Sequence, residues 1–571
     1  MKKKAFYLII FIVFFMSGLY FVRQNKYFSY LFESQSANSI EVNQAEPILA
    51  VFSFKPGAKN QKVDSIAHFT VKLKNDNWDV KKNEIPVIND SIALIITIET
   101  LGENRISTYL NNPLEDVING KYDRVIRQMC LQLIKNRPNV YFRFNPEMEV
   151  PVNLRPWQYL GGPAYIKAFR HFGSLCKTFA PQIKLIWGPA GYPGTMEFYP
   201  GDDVVDAASV TIKSDSETLL DVYPKDYTVA YDLMRRLHRL RFIDKPVFIL
   251  GSQQINNDSV DVDLISKISQ QISQERDFIY TSVNFKRPEP IITAFNREKI
   301  EIGLYDPQSS LNKEKPVTVE HLFVDFGSLQ DGTFQSSFNQ VIDREHNVIV
   351  TFEPFRNPNG KTDLQVLQNV TDGYYDKEIN QLYGIILSTN RRVYLRYAHE
   401  MEIPITRYPW QSQNPVTYIK SYRYFMTFRK SLPSNIKRIW GPAGDRGSLE
   451  WWPGNDVVDF ISIAVYGLPD KNITDPEKQE SFSTIFDRKY WRLRFVDKPV
   501  FITEFGVKGP EEYQTNWLLE AAKVIRKNPQ IVGINYFNMS DTPLAWGEIK
   551  APDWSITKKT FYSFLMALNE K

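Results

Sequence analysis

Arg239-Leu240-Arg241-Phe242-Ile243-Asp244-Lys245-Pro246-Val247-Phe248-Ile249 returns downstream as Arg492-Leu493-Arg494-Phe495-Val496-Asp497-Lys498-Pro499-Val500-Phe501-Ile502, identical at ten of eleven positions and displaced by 253 residues. The same displacement carries Trp187-Gly188-Pro189-Ala190-Gly191 onto Trp440-Gly441-Pro442-Ala443-Gly444, Pro156-Trp157 onto Pro409-Trp410, and His68 onto His321. One constant offset over so long a span predicts two copies of one fold, each of about 250 residues, a period far too long for a solenoid. In the second copy, strand candidates fall at 300–305, 322–326, 347–352, 392–398, 437–440, 458–465, 499–503 and 531–537. Amphipathic segments such as 376–388 and 416–430 lie between them. Eight β-then-α units predict an α/β chain of two tandem (β/α)8 TIM-type barrels, at 45–298 and 299–571. The alternative, a doubly wound open sheet, lacks a Gly-x-Gly-x-x-Gly after its first strand.

Composition narrows the function. Across 571 residues, 69 Lys and Arg against 65 Asp and Glu leave a net charge of +4, too balanced for a nucleic-acid partner. Two cysteines, Cys130 and Cys176, make neither a disulfide framework nor a cysteine zinc site. Six histidines without metal-ligand spacing add no metal centre, so no metal or cofactor is expected. Lys2, Lys3 and Lys4 precede a charge-free apolar run over 5–22, edged to span a bilayer with everything downstream exported. Residues 1–23 therefore read as a signal anchor and 24–44 as a polar linker. The expected location is the cell membrane, single-pass with the domains outside the cytoplasm, or the exterior if the signal is cleaved.

In such a barrel, chemistry sits at the carboxyl ends of the strands. Arg392–Glu400 ends a predicted fourth strand with His399 and Glu400, and Val500–Glu504 ends the seventh with Glu504. A charge closing an apolar strand is costly unless solvated or paired. Two facing carboxylates suit glycoside hydrolysis, one donating a proton to the leaving oxygen and the other attacking or activating water.

Arg396-Tyr397-Ala398-His399-Glu400-Met401, Pro409-Trp410, Trp452 to Asp459, Ser462 to Tyr466, and Ile502-Thr503-Glu504-Phe505-Gly506, in that order, resemble glycoside hydrolase family 26, which holds β-mannanases, endo-β-glucanases and xylanases. The resemblance covers most of 299–571 and, more weakly, 45–298. It implies a retaining endo-β-glycanase with Glu400 as acid/base and Glu504 as nucleophile. It implies that His399, Tyr466 and Arg396 surround the reacting sugar, Tyr466 hydrogen-bonding the nucleophile, with Trp546 as an aromatic floor. Trp410, Trp451 and Trp452 are candidates to stack on further sugars. The string Met401-Glu402-Ile403-Pro404 lacks the Asn-Gly and tryptophan that many members carry after the acid/base, so a mannan preference does not carry over. Alternatives are a transglycosylase using the same residues, or a non-catalytic glycan-binding or assembly protein of an envelope polysaccharide-synthesis system.

Shifting by 253 places Glu147 at the acid/base position of the first copy, Pro146 at His399, Lys213 at Tyr466 and Gly251 at Glu504. Without a nucleophile this copy is expected to be inactive. Lys213 is a candidate partner for Glu147, and Trp157, Phe198 and Tyr199 are candidates to bind glycan.

Overall fold

Each strand of the C-terminal half is a short run of β-branched and aromatic residues buried on both faces, the composition of a parallel sheet wrapped by helices. The computed structural model describes residues 48–49, 66–74, 77–79, 93–101, 112–133, 140–152, 154–158, 160–212, 229–243, 245–251, 299–355, 362–404, 407–467, 479–541 and 551–570. Strands β1 (Ile48–Leu49), β2 (Ile66–Lys74), β3 (Asn77–Asp79), β4 (Ala93–Thr100), β5 (Val140–Phe144), β6 (Lys184–Trp187), β7 (Ala207–Ile212) and β8 (Val247–Gly251) form one sheet. Strands β9 (Glu301–Tyr305), β10 (Val319–Val324), β11 (Asn347–Phe352), β12 (Val393–Tyr397), β13 (Ile436–Trp440), β14 (Phe460–Ile461), β15 (Ala464–Tyr466), β16 (Val500–Gly506) and β17 (Ile531–Phe537) form the other.

The second sheet closes. Parallel pairs run β9–β10–β11–β12–β13–β14, then β14 and β15 both meet β16, and β17 returns to β9. Counting β14 and β15 as one interrupted stave gives eight, with Glu400 after the fourth and Glu504 on the seventh. Val319, Ile349, Tyr394, Ile439 and Phe501, one from each of five staves, form a layer inside. Full burial of each such side chain stabilises the fold by about 1.5–3 kcal/mol.

The N-terminal sheet has the order β1-β8-β7-β6-β5-β4-β2-β3, parallel except for the β2–β3 hairpin. Ile95, Ile186, Ala207, Phe248 and Leu250 form its equivalent inner layer. The segment expected to supply the eighth stave of a second barrel, 278–284 by the 253-residue shift, lies outside the described residues. Ile48 and Leu49 pair directly with Phe248 and Ile249. No pair joins β1 to β2 among the described residues. Elements nevertheless recur at the sequence offset: β5 and β12, the helices Gly162–Phe179 and Pro415–Met426, and the helices Val229–Arg239 and Phe482–Leu493 begin 253 residues apart.

Cys130 and Cys176 are buried free thiols with their Sγ atoms 3.5 Å apart. Among the described residues no helix is long and apolar enough to cross a membrane; the anchor and linker expected at 1–44 lie outside them.

Candidate active site

Side chains alternate along a strand, so the register that puts Ile349 and Tyr394 inside also turns Thr351 and Arg396 inward, one layer nearer the mouth. Arg396 is buried, and its guanidinium donates from Nε to Thr351 Oγ1 (2.8 Å), from Nη1 to Thr503 Oγ1 (2.8 Å) and from Nη2 to Glu504. Adjacent residues on a regular strand face opposite ways, yet Thr503 and Glu504 both reach Arg396. The reason is an irregularity between Ile502 and Phe505 in the pairing of β16 with β17, which re-aims Glu504 into the lumen. Its second oxygen accepts from Tyr466 Oη at 2.9 Å. Two donors compensate a carboxylate that is only 7% exposed. Burial first, then Glu504 and Glu400, hold the Tyr466 phenol far above its usual range, so it stays a donor.

Gly441 makes this arrangement possible. A Cβ there would lie 2.6 Å from Arg396 Cδ, inside contact distance.

Glu400 follows β12 in a left-handed turn, with φ of 53° at Glu400 and 43° at Ala398. Such conformations cost about 1–3 kcal/mol at a non-glycine residue and cluster at functional sites. Glu400 N donates to Gly441 O (2.9 Å) and Ala398 N to Phe352 O (3.0 Å), which tie the turn to β11 and β13. Burial and the Glu504 charge raise the Glu400 carboxyl to about 7, with Lys489 opposing. One mouth thus holds two carboxylates in unlike environments, the arrangement that separates a proton donor from a nucleophile.

His399 is buried beside Phe323, Tyr408 and Trp410. Burial, then the Arg396 charge, pushes its imidazole well below the usual range, leaving it neutral. Its Nδ1 has no hydrogen-bond partner among the described residues, and Nε2 lies 4.0 Å from Glu353 Oε1.

The tryptophans behave otherwise than expected. Trp410, Trp451 and Trp452 are buried, Trp410 at 0% exposure with Nε1 donating to His399 O and its ring stacked on Tyr408. None offers an open face to a sugar: Trp410 backs His399, while Trp451 packs edge-on against Tyr418 and Trp452 against Trp440. The same holds for Trp157, Phe198 and Tyr199 in the N-terminal half, which are buried as well. Trp546 lies outside the described residues. Trp554, unremarked in the sequence, packs on Tyr466 at 4.7 Å.

Glu353 also escaped the sequence reading. It closes β11 at the mouth, and the rule that singled out Glu504, a carboxylate ending an apolar strand, applies equally to Ile349–Glu353. Glu402 was passed over too. It is buried, and its Oε1 accepts from Gly444 N (2.9 Å), Asp445 N (3.1 Å) and Ser448 Oγ (2.7 Å), bolting the acid/base turn to the following loop.

In the N-terminal half Glu147 keeps the left-handed turn (φ 59°), but Arg155 Nη1 donates to its Oε2 at 2.5 Å. Lys213, the partner expected for Glu147, lies outside the described residues. Arg143, the counterpart of Arg396, binds Ser209 Oγ and Thr211 Oγ1, and Gly251 ends β8 where Glu504 sits in β16.

No protein-family model matches the chain. Over 157 residues, 26% of this chain and 30% of the relative, it is 29% identical to a β-1,3-xylanase of a Vibrio species. Over 200 residues, 33% of this chain and 21% of the relative, it is 25% identical to endoglucanase H of Acetivibrio thermocellus. The aligned part is thus under a third of either relative. Among solved structures, GH26C from a Muricauda species aligns over 42% of this chain and 79% of its own, at a TM-score of 0.34 and 15% identity. Both sequence relatives are named for cleaving polysaccharides, one a β-1,3-xylanase and the other an endoglucanase.

Proposed function

We propose that residues 299–571 are a retaining endo-β-glycanase of the family 26 kind, cleaving a β-linked polysaccharide such as a β-glucan, a β-mannan or an exopolysaccharide. Glu400 is the acid/base and Glu504 the nucleophile. The observation that carries this is the contrast within one mouth: Glu400 is raised to about 7, while Glu504 is held by Arg396 and Tyr466. A glycosidase acid needs its proton near neutral pH, and a nucleophile needs fixed donors around an exposed lone pair. The N-terminal half is a duplicated copy that has lost catalysis, since glycine supplies neither nucleophile nor base. Residues 1–23 hold the protein in the membrane with both halves outside the cytoplasm, and a polysaccharide is its partner.

The test is release of reducing ends from soluble β-glucans, β-mannans, β-1,3-xylan and the producer's own polysaccharide, with the first-formed anomer read by proton NMR. Release with the β-anomer appearing first and mass-spectrometric labelling of Glu504 by a 2-deoxy-2-fluoro glycoside support the reading. An α-anomer first, or no release from any of the four, overturns it.

A further inference from the structure

The two halves meet through residues that exchange roles under the 253-residue shift. Glu450, in the short turn Ser448–Trp451, is buried, and its Oε1 and Oε2 accept from Arg235 Nε (2.6 Å) and Arg239 Nε (3.0 Å) of the N-terminal half. His238 Nε2 donates to the Glu450 carbonyl (3.1 Å), and Arg241 reaches Trp452 O (3.3 Å). The mirror contact is Glu197, met by Trp491 Nε1 at its carbonyl (3.3 Å) and by Arg492 Nε at 3.4 Å. An interface in which each side contributes the same patch is isologous, the form that two-fold pairing produces.

Its two arms are unequal. Arg235 and Arg239 grip Glu450 together, whereas Arg488, the counterpart of Arg235, turns to Glu480 at 2.8 Å. The tighter arm holds the C-terminal barrel, and it holds a particular loop. Glu450 and Ser448 share one turn; Ser448 with Gly444 and Asp445 binds Glu402; and Gly441 O binds the backbone of Glu400. A rigid path therefore runs from the N-terminal half to the acid/base turn.

We propose that the N-terminal half braces the catalytic barrel, with Arg235 and Arg239 as positioning residues that act through Glu450 to fix loop 441–452 and hold Glu400 in place. This rests on the reading of Glu400 given above. It assigns the inactive half a task that glycan contact does not require, in keeping with the burial of its aromatic side chains.

The experiment compares Glu450→Gln with Glu197→Gln in the full chain, reading kcat, KM and the titration of the Glu400 carboxyl by carbon-13 NMR. Glu504, Lys489, Glu402, Arg396, Tyr408 and Tyr466 face Glu400, and neither variant changes them. Glu450→Gln should lower kcat about tenfold with KM nearly unchanged, since small misplacements of a catalytic group cost up to about a hundredfold. It should also move the Glu400 titration by about half a unit or more. Glu197→Gln should leave both at wild-type values. Equal effects of the two variants, or a lowered melting temperature with kcat and titration unchanged, overturn the brace. Where Glu450→Gln fails to fold, Arg239→Lys keeps the charge and loses the forked geometry; a smaller drop in kcat with a shifted titration supports the brace, and wild-type values of both overturn it. A shifted titration in a protein that cleaves no glycan sinks the glycanase reading and leaves the brace standing.

Discussion

Set side by side, the two halves keep their scaffold and differ at the mouth. Arg143 and Arg396 both cross the lumen, and Glu147 and Glu400 both sit in left-handed turns. Glu149 and Glu402 both clamp the next loop, Glu149 Oε1 accepting from Gly191 N at 2.8 Å as Glu402 does from Gly444 N. What departs is two positions: Gly251 stands where the C-terminal half has Glu504, and Arg155 where it has Tyr408. Strain at a strand end therefore does not set the C-terminal half apart, because the N-terminal half stores it too. What separates the halves is the electrostatic setting of one carboxyl group, paired with a guanidinium in one and facing a second carboxylate in the other.

The comparison breaks most sharply at Glu504. Glu504→Ala should abolish turnover, a loss of about 10⁴-fold or more in kcat by reducing-end assay, because double displacement has no substitute nucleophile. Removing the Tyr466 hydroxyl with Tyr466→Phe should cost about tenfold to a hundredfold in kcat, the worth of one hydrogen bond to a charged group. The third effect is on stability. The carboxyl of Glu400 is raised to about 7, so the unfolded chain gives up this proton at lower pH than the folded protein does, and ionisation above that pH weakens the fold. Glu400→Gln should accordingly raise stability by about 1–3 kcal/mol at pH 8 and by little at pH 4, read by denaturant unfolding. The same titration should set the alkaline limb of kcat/KM near pH 7 in the wild type. The smallest effect sharpens the contrast from the other side. Gly251→Glu in the Glu504→Ala background should restore no cleavage, since Arg155 still holds Glu147; recovered activity would show that the nucleophile alone had been missing.

Much of this was legible in the residues. The repeat located equivalent positions, and the eight apolar runs matched the staves, 347–352 and 531–537 at both ends. The carboxylates Glu400 and Glu504 came from a physical cost, a charge ending an apolar strand. The failures also have physical causes. A tryptophan near a motif gives no sign of which way its ring faces, so Trp410, Trp451 and Trp452 read as sugar platforms although all three are buried. The direct pairing of β1 with β8 was not legible, because it joins residues 200 apart, which local periodicity does not encode. Arg155 escaped notice as a partner of Glu147 because it lies in a loop whose path only the fold decides.

The glycine of the repeated Trp-Gly-Pro-Ala-Gly string takes on meaning from the arginine that passes it. At Gly188 a Cβ would come within 2.7 Å of Arg143, just as at Gly441 it would crowd Arg396, yet Arg143 donates to Ser209 and Thr211 where Arg396 also reaches Glu504. The vacancy beside the arginine thus does not require the glutamate. It marks the guanidinium as a crossbar of the architecture first, onto which the C-terminal half has hung its glutamate.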